Sequence, residues 1–190
     1  MKKTLKLPLF LAAVCLISTG VLAVVNEITA PIIATVELEK KNAGYLDILG
    51  LESLANHDIA TVATEDALKS KGILQKTTVT EKSSGNVYGI VYDATVGGYA
   101  GPMSFQVGFK DGKYAGFNNV SNTETASYGG IIIADLDGLI EGLDATSETS
   151  ALYAEVKGNY AGKSETWSNI TVNALLNAFK LAANDYLASR

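Results

Sequence analysis

Nineteen consecutive uncharged residues, Leu7 to Val25, constrain this chain more than any other feature. A helix of that length covers about 30 Å, the thickness of a bilayer's hydrocarbon core. Lys2, Lys3 and Lys6 precede the run, and the first charge after it is Glu27. The positive-inside bias therefore places the N-terminus in the cytoplasm and everything beyond Glu27 outside. A cleaved secretory signal is the alternative, but the run is long for one. Val21-Leu22-Ala23 also puts a large residue where a small-x-small cleavage site needs a small one. The expectation is a retained, single-pass anchor in the cell membrane.

What the rest of the chain lacks excludes several chemistries. Cys15 is the single cysteine and sits inside the apolar run, so no disulfide framework or cysteine-ligated metal site forms within one chain. His57 is the single histidine, which removes every His-pair metal motif. Three of the 15 bases lie before the apolar run, leaving an acidic body without the basic footprint of a nucleic-acid binder. No Ser-His-Asp or Cys-His set can be assembled. Asp135, Asp137, Glu141 and Asp144 read as one solvated helix face, because the EF-hand spacing is missing. No catalytic residue and no metal site is expected.

Along the exported part, Asn26 to Pro31 is expected to break the first helix, with Pro31 opening a new one. Ile32, Val36, Leu38, Leu46 and Leu49 form an imperfect helical stripe, with Gly44 and Gly50 as stop signals. Thr64 to Leu68 reads as a capped helix start ending by Gly72, and His57 as a solvated loop residue. Leu74 to Glu81, Val87 to Thr95, Met103 to Phe109 and Tyr114 to Val120 alternate as strands. Ser83 to Asn86 and Asp111-Gly112 supply the turns. Ile131 to Leu143 and Val172 to Ala188 have helical spacing, and Leu152 to Val156 reads as a short strand. The predicted class is α+β: an antiparallel sheet with helices packed on one side, preceded by one N-terminal transmembrane helix. The expected organisation is a cytoplasmic tip and anchor over 1–30, a helical connector over 31–72 and a domain over 73–190.

Three segments stand out together: Gly98-Tyr99-Ala100-Gly101-Pro102, then Asp111-Gly112-Lys113, then Glu124-Thr125-Ala126-Ser127-Tyr128-Gly129. In that order, behind an apolar span ending in Asn26-Glu27-Ile28-Thr29-Ala30-Pro31, they resemble the FMN-binding domain of the RnfG family, a component of the Rnf electron-transport complex. The sodium-translocating NADH:quinone reductase contains a related FMN-carrying component. The family pattern is a Gly-Tyr-x-Gly-Pro entry, an Asp-Gly-Lys turn and a Glu-Thr-Pro-Gly-Leu-Gly loop. This chain keeps Glu124, Thr125 and Gly129 of the loop. The resemblance covers the anchor and roughly residues 74–187, and motifs in order are more specific than any one of them.

The resemblance implies an extracytoplasmic 73–190 domain that binds FMN and passes electrons within an ion-translocating membrane complex. Its implied partners are the other membrane subunits of that complex and, for a covalent flavin, a flavin transferase. The family attaches FMN through a threonine in an Asp-x-x-Ser/Thr-Gly-Ala-Thr/Ser motif, and two registers compete here. One runs from Glu165 through Ser168 to Thr171 as acceptor. The other aligns the following helix better and puts Asn169, which has no hydroxyl, at the acceptor position, leaving the chain flavin-free as an accessory or structural subunit. The resemblance thus implies Tyr99, Glu124, Thr125, Ser168, Asn169 and Thr171 as flavin-site residues. The residues alone equally support plain capping of the last helix by Ser168, Asn169 or Thr171, and core packing for Trp167. Tyr99 and Tyr128 read either as the lining of a flavin site or as solvent-edge aromatics.

Overall fold

Residue for residue, the apolar run becomes one long helix. The computed structural model describes residues 3–146, 148–160 and 168–189. The chain divides into two units, Met1–Lys41 and Asn42–Arg190. The first holds most of helix α1, Lys3–Leu49. Within it Phe10–Ala30 is long and apolar enough to cross a membrane, and Phe10, Leu16, Leu22 and Ile28 are all exposed. An apolar surface on every side suits lipid rather than water. Cys15 is exposed on this helix. The break expected between Asn26 and Pro31 does not occur, because α1 is helical through it. Pro31 removes one backbone donor, and the bonds on either side carry the helix past that single loss.

α1 stops at Gly50, where φ is +61°. Leu51 N–H reaches Leu46 O at 2.8 Å and Gly50 N–H reaches Asp47 O at 3.2 Å, the paired bonds of a Schellman cap. Gly44, the other expected stop, lies inside the helix and serves packing instead.

The second unit is built on a five-stranded antiparallel sheet in the order β1-β2-β3-β4-β5. Its strands are β1 His57–Ala63, β2 Ile73–Glu81, β3 Val87–Gly97, β4 Pro102–Lys110 and β5 Lys113–Asn122. A short helix α2, Asp66–Lys69, joins β1 to β2. The predicted Asp111-Gly112 turn closes β4 onto β5 with φ of +52° and +84°, the double positive φ of a type I′ hairpin. α3 Gly129–Ile140, α4 Thr149–Tyr160 and α5 Asn169–Ala188 follow.

Alternation along the strands sends two sets of side chains to opposite faces. On one face Tyr92, Phe105, Val107 and Phe109 pack with Leu136, Leu152, Leu175 and Phe179 of the three C-terminal helices. Phe179 meets the rings of Phe105 and Phe117 at 5.5 and 5.7 Å. At the far end of α5, Asp185 accepts from Lys76 Nζ at 2.7 Å and from Tyr92 Oη at 2.6 Å. Burial works against the Asp185 charge, but those two donors outweigh it and hold the carboxyl below its ordinary range.

The other face is covered as well, which corrects the expectation of helices on one side only. Tyr45, Ile48 and Leu49, from the last turns of α1, pack on Val79 and Val91. Gly89 and Gly108 make room for Leu49 and Ile48, and Gly116 lies against the Ile48 backbone. Below this helix a polar ladder crosses all five strands. Thr61 and Thr77 hydroxyls meet at 2.9 Å, and Thr77 donates to Tyr45 Oη at 3.3 Å. Tyr45 Oη donates to Asp93 at 3.3 Å, Gln106 Nε2 donates to Asp93 at 2.9 Å, and Asn118 Nδ2 donates to Gln106 Oε1 at 2.8 Å. Asp93, Gln106 and Thr77 are buried, so their bonding partners offset a large desolvation cost.

Further expectations are corrected. His57 begins an edge strand rather than lying in a loop, within the stretch read as a helical connector. β1 is solvent-exposed along nearly its whole length, so no apolar alternation marks it. The cap of α2 is Glu65, while the Thr64 hydroxyl donates to Ile73 O. Leu152 and Val156 are buried on helix α4, not on a strand; a spacing of four satisfies both periods. Asp137 does not lie on a solvated face, because it accepts the Phe117 N–H at the edge of β5. Asp144 leaves that face too: it accepts from Thr146 N–H and Oγ1 beyond the end of α3.

Candidate functional site

Three chain segments meet at the N-terminal end of α5. The first is the turn between β3 and β4, closed by Gly98 N–H to Gly101 O at 2.7 Å. The second is the loop after β5, where Thr125 O accepts from both Tyr128 N–H and Gly130 N–H at 2.9 Å. The third is the start of α5, where Ser168 is the N-cap and its Oγ accepts from Thr171 N–H at 3.2 Å. Ser168 and Thr171 are buried at 1% and 0% exposure, although each sits at a helix end.

Glu124 ties the turn to the loop. One of its carboxylate oxygens accepts from Ala100 N–H at 3.0 Å, and the other is buried with no hydrogen-bond partner. Thr171 ties the turn to the helix, since Tyr99 N–H donates to its Oγ1 at 3.4 Å. Gly129 lies between the two groups: a Cβ there would collide with the unpaired Glu124 oxygen and stand 3.1 Å from Thr171 Oγ1. Gly98 leaves space for the paired Glu124 oxygen in the same way. Beside them an open cleft of about 480 Å³ is lined by Asn119, Asn122, Glu124, Gly130 and Ile131. That volume falls within the range of small-molecule pockets.

The structure therefore brings Tyr99, Glu124, Ser168 and Thr171 together. It does not bring Asn169, which is exposed and accepts from Tyr153 Oη at 2.8 Å. Thr125 is exposed too and contributes its backbone carbonyl, not its hydroxyl. Trp167 and Glu165 lie outside the described residues. Gly98 and Gly129 entered the sequence reasoning as motif positions and not as site residues, although paired glycines beside a Glu-Thr loop signal close approach. Ring contact between Tyr99 and Tyr128, 6.1 Å between centroids, adds Tyr128 to the rim.

The family model of the RnfG N-terminal region matches residues 1–48. The N-terminal quarter of the chain is thus similar to the RnfG N-terminal region. Among curated proteins, none matches the chain. The match agrees with a single N-terminal membrane span. It ends within α1, so the sheet and the Glu124–Thr171 cluster lie beyond the matched segment.

Proposed function

We propose that this chain is a membrane-anchored flavoprotein subunit that passes electrons in an Rnf-type ion-translocating complex, with residues 73–190 as an extracytoplasmic FMN domain. Convergence of Thr171, Glu124 and the Tyr99 turn at one helix end carries the reading, because these are the positions where the family resemblance expects the flavin. The residues fit the group in three respects. Thr171 is a hydroxyl at the head of a helix, where unpaired N–H groups and the dipole favour a phosphate. Gly129 and Gly98 open space around Glu124 that a side chain would fill. The unpartnered Glu124 oxygen is a buried acceptor in want of a donor.

Bound FMN supplies reversible uptake and release of electrons; the protein supplies position and electrostatics. Of the two attachment registers, chemistry and contact favour Thr171 over Asn169, since Thr171 carries a hydroxyl and meets the Tyr99 turn. Access to Thr171 Oγ1 requires the Tyr99 turn to lift, and the 3.4 Å bond from Tyr99 N–H is a long, weak tether against that motion. A flavin transferase is the expected partner for attachment. A flavin-free accessory subunit is the second reading, and the complete burial of Thr171 is the observation that favours it.

Two experiments test the proposal. Coexpressed with a flavin transferase, the chain should yield a peptide containing Thr171 heavier by FMN less one water. Fragmentation should place that mass on Thr171, Thr171→Ala should remove it, and Asn169→Ala should retain it. An unmodified peptide would end the covalent reading. For orientation, a reporter active only in the cytoplasm and fused after Arg190 should stay silent; strong signal would put the domain on the wrong side.

A further inference from the structure

β1 ends the sheet, with β2 as its one strand neighbour. Their register runs without a bulge from His57 opposite Glu81 to Ala63 opposite Gln75. Just beyond the two ends, Lys82 N–H donates to Asn56 O and Thr64 N–H donates to Leu74 O. Antiparallel strands alternate bonded and non-bonded pairs, so the even-numbered residues of β1 direct their backbone groups to β2. Ile59, Thr61 and Ala63 turn theirs outward, along an open edge. Such edges are ordinarily blunted by lysine, proline, a bulge or a covering element. The strand His-Asp-Ile-Ala-Thr-Val-Ala carries no lysine or proline, and Asp58 to Ala63 are all exposed.

We propose that a second copy of this chain pairs with β1, antiparallel and across a two-fold axis at Thr61, joining five strands from each copy into one sheet. The strand is complementary to itself in that register. Ile59 falls opposite the second copy's Ala63, Ala60 opposite its Val62 and Thr61 opposite its Thr61, so apolar pairs flank a hydroxyl pair. At each end His57 meets Glu65, a base against an acid, and Glu65 has the extended backbone that continues the strand. Moving the axis to Ala60 sets the Asp58 carboxylate against Val62, a poor match for a charge. Moving it to Ile59 leaves Val62 and Ala63 opposite residues outside the strand.

The polar ladder supports the same axis. It ends at the open edge on Thr61, whose hydroxyl meets that of Thr77 at 2.9 Å. Opposite a second Thr61, the ladder of one copy runs into that of the other, and cross-strand threonine pairs stabilise antiparallel sheets. A strand of an unrelated protein would satisfy the same backbone groups; the two-fold match of side chains is what selects a second copy. The pairing is independent of the flavin reading, because β1 shares no residue with that site.

The test uses the purified full-length chain in detergent, its mass read by light scattering after size exclusion and corrected for bound detergent. Wild type should be a dimer that dissociates on dilution. Thr61→Lys should raise the dissociation constant at least about fivefold, because two like charges then face each other across the axis. Register is read by cross-linking in a Cys15→Ser background. Thr61→Cys should form a disulfide-linked dimer on oxidation in air, since the Cα atoms of a bonded pair lie about 5.5 Å apart. Asp58→Cys should not, because its own counterpart lies about 20 Å along the strand. Far-UV circular dichroism checks that each variant is folded. A monomeric wild type would overturn the proposal, whether or not an extended segment of another subunit then binds the edge. A Thr61→Lys dimer as tight as wild type, or equal cross-linking at positions 58 and 61, would place the contact elsewhere and overturn it too.

Discussion

Gly72→Val is expected to lower the stability of the sheet-containing domain by about 3 kcal/mol or more. Gly72 holds φ at +91°, where a β-branched residue is strained, and its Cβ would collide with the Thr95 carbonyl oxygen. That carbonyl is backbone and cannot swing aside. Gly72 O also accepts from Thr95 N–H at 2.8 Å, so the position joins β2 to β3. Relieving the clash means pulling apart two central strands. For a domain of this size the melting midpoint should fall by about 6–12 °C. Gly138→Ala is the control, since Gly138 lies in α3 with open space around it. Its midpoint should stay level or rise slightly, as a helical glycine loses more entropy on folding than alanine. An unchanged midpoint for Gly72→Val would mean that β2 and β3 join differently.

Four strands of the sheet were legible because they are rich in β-branched and aromatic residues and bounded by turn signals. β2 to β5 alternate Val, Ile, Thr and Phe, and Asp111-Gly112 announces its turn through the positive φ both residues tolerate. β1 was not legible because it is an exposed edge whose apolar residues face water. α4 was misread because the four-residue spacing of Leu152 and Val156 fits either period. The second layer was hidden for a different reason. Gly89, Gly108 and Gly116 sit on three strands and act jointly only once α1 ends on them. No local pattern relates positions so far apart in sequence.

The site was half legible. Glu124, Tyr99 and the Ser168 to Thr171 segment were singled out, but sequence left two registers for the acceptor. The stripe of Leu175, Phe179, Ala182 and Tyr186 already showed which of the two positions faces the core: four residues before Leu175 stands Thr171. Continuing the buried face of α5 back one turn buries Thr171 and turns Asn169 outward, as observed.

Gly129→Val is expected to empty the site while leaving the fold intact. The new side chain takes the space between Glu124 and Thr171, so it expels the carboxylate and covers the hydroxyl. Gly129 has no positive φ, and the group it displaces is a side chain rather than backbone. The melting midpoint should therefore stay near wild type, unlike that of Gly72→Val. Flavin affinity should fall at least about tenfold, because both a polar partner and the free volume are lost.

The visible absorption spectrum of the purified full-length protein tests the central claim most directly. Oxidised flavin absorbs near ~450 nm, and its redox chemistry is the function at stake. Wild type loaded with FMN should show that band at one flavin per chain, bleached by dithionite and restored by air, with Gly129→Val showing a small fraction of it. A colourless wild-type protein after coexpression with the transferase and incubation with FMN would contradict the flavoprotein account and leave the accessory-subunit reading in its place.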